Sequence, residues 1–206
     1  MYPEALGIWF VFIAGGFLLG SVMFSQILPK LFLGIDVCAV RDDHNPGCTN
    51  VFVHCGALWG ILCLSLDMLK GFVPVYLGVR LLDSQSLLFG LVLAAPVLGH
   101  AIAPLNHFRG GKCIATAFGT LLGLFRMNHI VFLLAGIYIV FSTVLKISPH
   151  RLRSIAVFGL FGLLSLIILI HGGNNSIALG CVLISAVAIW KHSRAFESRS
   201  AEACTE

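Results

Sequence analysis

Residues 42–50 read Asp42-Asp43-His44-Asn45-Pro46-Gly47-Cys48-Thr49-Asn50, which gathers two carboxylates, an imidazole, two amides and a hydroxyl around a Pro-Gly turn. A plain connector needs only solubility, so this mixture of unlike groups points to ligand binding or proton transfer, with a solvated turn as the alternative. His44 beside Asp43 has the makings of a general base or a metal ligand. A second segment, Phe108-Arg109-Gly110-Gly111-Lys112, leads straight into an apolar run. Paired glycines let backbone amides converge, a helix N-terminus adds partial positive charge, and Arg109 and Lys112 add full charges. Together they describe a cradle for an anion such as phosphate, with an ordinary basic loop as the alternative. It is not a Walker A loop, because Cys113 stands where Ser or Thr would follow the lysine.

Other polar groups fall inside apolar runs. Asp67 and Lys70, three apart, share one helix face and are expected to form an ion pair. His100 and Pro104 end a run beside the Gly-Gly-Lys segment, where His100 either orients that segment or is a satisfied interior histidine. Trp190-Lys191-His192 closes the last run as an interfacial anchor, with His192 a catalytic candidate.

The elements that must position these residues are membrane helices. The 206 residues are 58% hydrophobic and 11% charged, with a mean hydropathy of +0.98, whereas a soluble domain is about a quarter charged. Seven apolar segments, at about 5–28, 56–77, 84–105, 113–125, 130–145, 154–170 and 177–190, are candidate spans, each judged against the roughly 20 residues a bilayer core requires. The first lacks the basic leader of a signal peptide, and Gly15, Gly16 and Gly20 within it suit close helix packing. The expectation is an all-α, polytopic helical bundle of about seven transmembrane helices forming a single domain over 1–206. Segment 113–125 is the shortest, with a tilted or half-buried helix as its rival. Of the seven cysteines, Cys63 and Cys181 lie inside apolar runs and Cys113 opens one, so these read as small buried hydrophobes. A reactive or metal-binding role is conceivable only at Cys48 and Cys55, in and near the polar loop.

Basic residues fix the expected orientation. With the N-terminus outside, inward segments carry Lys30, Arg41, Arg109, Lys112, Lys146, Arg151, Arg153, Lys191, Arg194 and Arg199, and outward ones only Arg80 and Arg126. Ten against two follows the positive-inside rule, with the C-terminus cytoplasmic. The formal charge of +4 then sits at the inner face, facing anionic lipid and phosphorylated substrates.

In chain order the sequence resembles a known family, the bacterial PlsY-type acyl-phosphate:glycerol-3-phosphate acyltransferases. The resemblance rests on Gly20-Ser21 with Phe24, then Asn45-x-Gly47-x-Thr49-Asn50-Val51, then Asp67-x-x-Lys70-Gly71 with Pro74. Gly99-His100 with Pro104, Phe108-x-Gly110-Gly111-Lys112 and Ala115-Thr116 follow. These motifs cover about half of the chain, from Gly20 to Thr116; beyond them only the hydropathy and His192 correspond. The resemblance implies a multi-pass enzyme of the bacterial plasma (inner) membrane whose active site faces the cytoplasm. Such an enzyme moves a fatty acyl group from acyl phosphate to glycerol 3-phosphate and makes lysophosphatidic acid and phosphate. It implies no metal, no other cofactor, no acyl-enzyme intermediate and no nucleic-acid partner. The His-x-x-x-x-Asp signature of the other glycerolipid acyltransferases does not occur.

Carried over by position, the expected catalytic set is Asp43, His44, Asn45, Lys112 and His192. The expected substrate-binding set is Gly47, Thr49, Asn50, His100, Gly110, Gly111 and again Lys112. Three positions depart from the family pattern: Asp43 replaces a serine, Val53 an arginine and Ala195 an asparagine. Losing an arginine and gaining carboxylates weakens the hold on a doubly anionic acceptor, so Asp43 and His44 are expected to act as a base pair in place of the missing groups. Two other readings stay open. One is the same scaffold with a different polar acceptor or a metal-assisted reaction at Asp42, Asp43 and His44. The other is a non-enzymatic transporter or lipid-binding membrane protein, although the paired broken helices of a repeat-built transporter are not visible.

Overall fold

A computed structural model describes residues 4–39, 47–172 and 175–203, with side chains between residues 6 and 193. Among the described residues there are helices and connections, and no strand. The helices are α1 (Glu4–Gly20), α2 (Phe24–Leu33), α3 (Cys48–Cys55), α4 (Ala57–Leu81), α5 (Leu88–Ile102), α6 (Ile114–Leu122), α7 (Ile130–Thr143), α8 (His150–Ile170) and α9 (Asn175–Ala203). A short 3-10 turn, Pro104–Asn106, follows α5.

All seven expected segments contain helix, but their lengths differ from the expectation. Four helices are long and apolar enough to cross a bilayer, and α1 with α2 makes a fifth if that pair, bent by 45°, counts as one span. Segment 5–28 is therefore a broken helix rather than a straight one. Segment 113–125 yields only the nine residues of α6; at 1.5 Å per residue that is about 13 Å, short of the roughly 30 Å hydrocarbon core. The polar loop is not all loop either, because Thr49 and Asn50 lie on α3, which starts after Gly47.

Helix α5 is the axis of the bundle. Phe89, Val92, Leu93 and Val97 are fully buried on it, and it packs against α1 on one side and α9 on the other. Between α1 and α5 the contact is backbone on backbone. A Cβ on Gly20 would strike the Pro96 carbonyl and one on Gly99 the Phe17 carbonyl, while Gly16 meets the Pro96 ring. With no hydrophobic drive between helices in lipid, such close approach is what holds them together. Gly15, expected to share this role, has nothing within 4 Å; it is a quarter-turn off the contact face.

The break between α1 and α2 leaves backbone groups that lipid cannot satisfy, and α4 satisfies them. Lys70 Nζ donates to the Val22 carbonyl and lies 2.9 Å from Asp67 Oδ1. Ser25, in the first turn of α2, donates to Asp67 Oδ2 at 2.7 Å. The expected ion pair is present, buried, and tied to the broken span.

Candidate active site

Three helices begin at the same place. The N-terminal turns of α3 (residues 47–50), α6 (residues 112–115) and α8 (residues 149–151) all line one cavity of about 520 Å³. Each α-helix N-terminus presents unsatisfied N–H groups and a partial positive charge near half a unit. Lys112 and Arg151 add two full positive charges to the lining, Asp67 brings a carboxylate that is ion-paired with Lys70, and Thr49, Asn50, His100, His150 and His192 are its other polar side chains. The remaining wall is largely apolar: Leu64 and Met68 from α4, Ile114 and Phe118 from α6.

Lys112 is carried by an unusual connection. Between α5 and α6, Ala103, His107, Phe108 and Cys113 adopt positive φ angles of 47°, 53°, 61° and 66°. Non-glycine residues in this region cost about 1–3 kcal/mol each and persist where surrounding structure dictates them. His100 does part of the dictating: its carbonyl accepts the Gly111 N–H at 3.1 Å, and its ring fills the space a Gly111 side chain would need. Gly110 is held likewise against the Ala101 carbonyl, which also receives Lys191 Nζ at 2.8 Å. Neither glycine lines the cavity, and the Gly111 amide is already bonded to His100 rather than presented to a phosphate. They matter for their missing side chains, which let the loop close and bring Lys112 to the cavity.

His192, on α9, is 1% exposed, with Nδ1 2.8 Å from the Ala188 carbonyl. A carbonyl only accepts, so Nδ1 carries the proton, and in the neutral ring Nε2 is an acceptor. That Nε2 has no hydrogen-bond partner among the described residues. Arg151 fixes the backbone beneath it, with Nε 2.7 Å from the His192 carbonyl and one Nη 3.2 Å from that of Ser193. The start of α8 is thus clamped to α9 beside the imidazole.

The cavity collects Gly47, Thr49, Asn50, His100, Lys112 and His192, six of the residues singled out from sequence. Asp43, His44 and Asn45 lie outside the described residues. Val53 is 62% exposed on α3 and does not line the cavity. His150 and Arg151 do line it, yet sequence reading took Arg151 only as a topology signal and passed over His150. One cue was available: beside His150, the first turn of α8 holds Arg151 and Arg153, cations where the helix dipole favours acids. Cys48 is half-buried in the wall, and burial, with the Asp67 charge adding to it, pushes its thiol up to about 11. No group of three or more metal-binding side chains occurs among the described residues.

Comparison with known proteins follows the same lines. The family model described as glycerol-3-phosphate acyltransferase matches residues 10–201. A glycerol-3-phosphate acyltransferase of Hydrogenobaculum sp. (strain Y04AAS1) is 33% identical over 178 residues, 86% of this chain and 86% of its own. That of Desulforamulus reducens is 33% identical over 183 residues, 88% and 86% of the two chains. Two crystal structures of PlsY, an integral membrane glycerol 3-phosphate acyltransferase, superpose with TM-scores of 0.77 and 0.76 at 26% identity. One is its glycerol 3-phosphate form and the other its lysophosphatidic acid form; both cover 95% of this chain, and the matches take in 94% and 93% of theirs. With its family match running almost end to end and the PlsY fold enclosing its cavity, this chain belongs to the glycerol-3-phosphate acyltransferase family.

Proposed function

We propose that this protein transfers a fatty acyl group from acyl phosphate to glycerol 3-phosphate, giving lysophosphatidic acid and phosphate, at the cytoplasmic face of a bacterial inner membrane. The observation that carries this reading is the convergence of three helix N-termini, Lys112 and Arg151 on a cavity with one apolar wall. Both substrates bear phosphate, and one also bears an acyl chain.

In this reading Lys112 and the N-terminus of α6 hold the donor phosphate, while Ile114, Phe118 and Met68 border its acyl chain. Gly47, Thr49 and Asn50 hold the acceptor, with Asp43, His44 and Asn45 completing that side. The acceptor hydroxyl oxygen attacks the acyl carbon, the bond from that carbon to the phosphate oxygen breaks, and the electron pair leaves with the phosphate. His192 Nε2 accepts a hydrogen bond from the attacking hydroxyl, and the proton passes to it or to the departing phosphate. Lys112 opposes the charge that builds on the leaving group. The whole of 1–206 acts as one domain.

Charge placement supports the orientation. Arg80 and Arg126 meet at one end of α4, away from the cavity, whereas Lys112 and Arg151 stand at the cavity itself, which suits a cytoplasmic site under the positive-inside rule.

The test is direct. Purified protein given acyl phosphate and radiolabelled glycerol 3-phosphate should form lysophosphatidic acid, and Lys112→Ala should slow turnover about 100-fold or more. No product under conditions where an authentic family member works overturns the reading; an unchanged Lys112→Ala rate overturns the donor site.

A further inference from the structure

A second hollow, of about 460 Å³, lies at the opposite end of the α4–α6 pair from the catalytic cavity, lined by Tyr76, Val79, Arg80, Gly123, Arg126 and Met127. The two cavities are separate. Between them the helices touch backbone to backbone: a Cβ on Gly71 would meet Thr116 and Thr120, one on Gly119 the Met68 carbonyl, and one on Gly123 Phe72 and Val75.

Arg80 and Arg126, the two basic residues that the charge count expects on the outer side, both line this one hollow. A helix C-terminus attracts a cation, which accounts for Arg80 in the last turn of α4. It does not account for Arg126, four residues beyond the end of α6. Arg80 is also preorganised. Its guanidinium lies 4.2 Å from the centroid of the Tyr76 ring, donates to the Tyr76 hydroxyl, and that ring is stacked on Phe72 at 5.1 Å. The contact with Tyr76 uses one side of the guanidinium fork and leaves further N–H donors for an oxyanion. Partial charges of about −0.5 at the α4 and α6 C-termini reduce the field but do not cancel two full positive charges. The acid nearest in sequence, Asp83, accepts the Gln85 N–H at 2.9 Å and does not line the hollow. Around it, Leu77, Leu81 and Phe125 are exposed, so an anion arriving here with hydrocarbon attached finds apolar surface beside the charges.

We propose that this hollow binds the headgroup phosphate of an anionic phospholipid. Basic pockets between membrane helices take such headgroups through paired guanidinium–phosphate contacts. The site is independent of the acyl-transfer reading.

Delipidated wild-type protein in detergent is titrated with phosphatidylglycerol, phosphatidylcholine or inorganic phosphate, and bound ligand is read by native mass spectrometry. Phosphatidylglycerol should be retained at least tenfold better than phosphatidylcholine, and R80Q/R126Q should remove that preference. R80K/R126K, which keeps both charges, should restore most of it. Lys112→Ala, in the other cavity, should leave retention unchanged. Lipid-free thermal midpoint and size-exclusion profile of R80Q/R126Q should match wild type, which excludes misfolding. Equal retention of both lipids, loss of binding with Lys112→Ala but not R80Q/R126Q, or inorganic phosphate binding as tightly as the anionic lipid overturns the proposal.

Discussion

At the scale of the residue, His192 is the sharpest case. Its Nδ1 is committed to the Ala188 carbonyl, so Nε2 is left as an acceptor without a hydrogen-bond partner among the described residues, on a side chain that lines the same cavity as Lys112. His192→Ala should therefore lower kcat by about 10²–10⁴-fold and leave KM for acyl phosphate nearly unchanged. Steady-state kinetics separate the two, and a raised KM at unchanged kcat would make it a binding residue. Cys48 gives a pH-dependent prediction. The thiolate is the form that alkylates, and a thiol moved from its ordinary 9.0 to about 11 holds about 100-fold less thiolate at pH 8. Peptide mapping after iodoacetamide should find Cys48 labelled correspondingly slowly, with a rate still rising above pH 10; a plateau near pH 9 refutes this. Lys112, His100 and His192 were legible because charged and imidazole side chains at the ends of apolar runs have few structural reasons to be there. Arg151 was not, since its charge served equally well as a topology signal, and what distinguishes it is the carbonyls of His192 and Ser193 on another helix. Gly111 was legible as important and misread as an amide donor, because sequence shows a missing side chain but not where its N–H points.

At the scale of the element, α6 decides where Lys112 stands. It is nine residues long, and close contacts at Gly71, Gly119 and Gly123 set its spacing from α4. Gly119→Ala would press a methyl onto the Met68 carbonyl and force the pair apart. Overpacking of this kind costs about 1–3 kcal/mol, so the thermal midpoint should fall by several degrees and activity with it. Gly159→Ala on α8, with nothing within 4 Å, is the matched control and should change neither. Helix existence was readable throughout from apolar runs, whereas the lengths of α6 and of the broken α1–α2 pair were not. Those are set by partners distant in sequence: Pro96 and Phe17 at the Gly20 and Gly99 contacts, and Asp67 and Lys70 at the break.

At the scale of the whole molecule, Arg80 and Arg126 line one hollow and Lys112 and Arg151 another. Green fluorescent protein fused after Glu206 should fluoresce in a bacterial host, and alkaline phosphatase at the same place should be inactive; the reverse result would invert the proposed topology. Counting basic residues gave the expected orientation, but that count could not reveal that Arg80 and Arg126 share a hollow, or that three helices start at one cavity. Both depend on how the chain doubles back. The buried Asp67–Lys70 pair has a further consequence, for biogenesis. A carboxylate or ammonium at the middle of a lone span costs about 2.5–3.5 kcal/mol on translocon scales, and α4 carries one of each. Besides each other, their partners are Val22 and Ser25, which precede α4 in the chain. α4 therefore enters lipid with its two charges already neutralised as an i,i+3 pair, and the broken α1–α2 span supplies the hydrogen bonds that complete their burial.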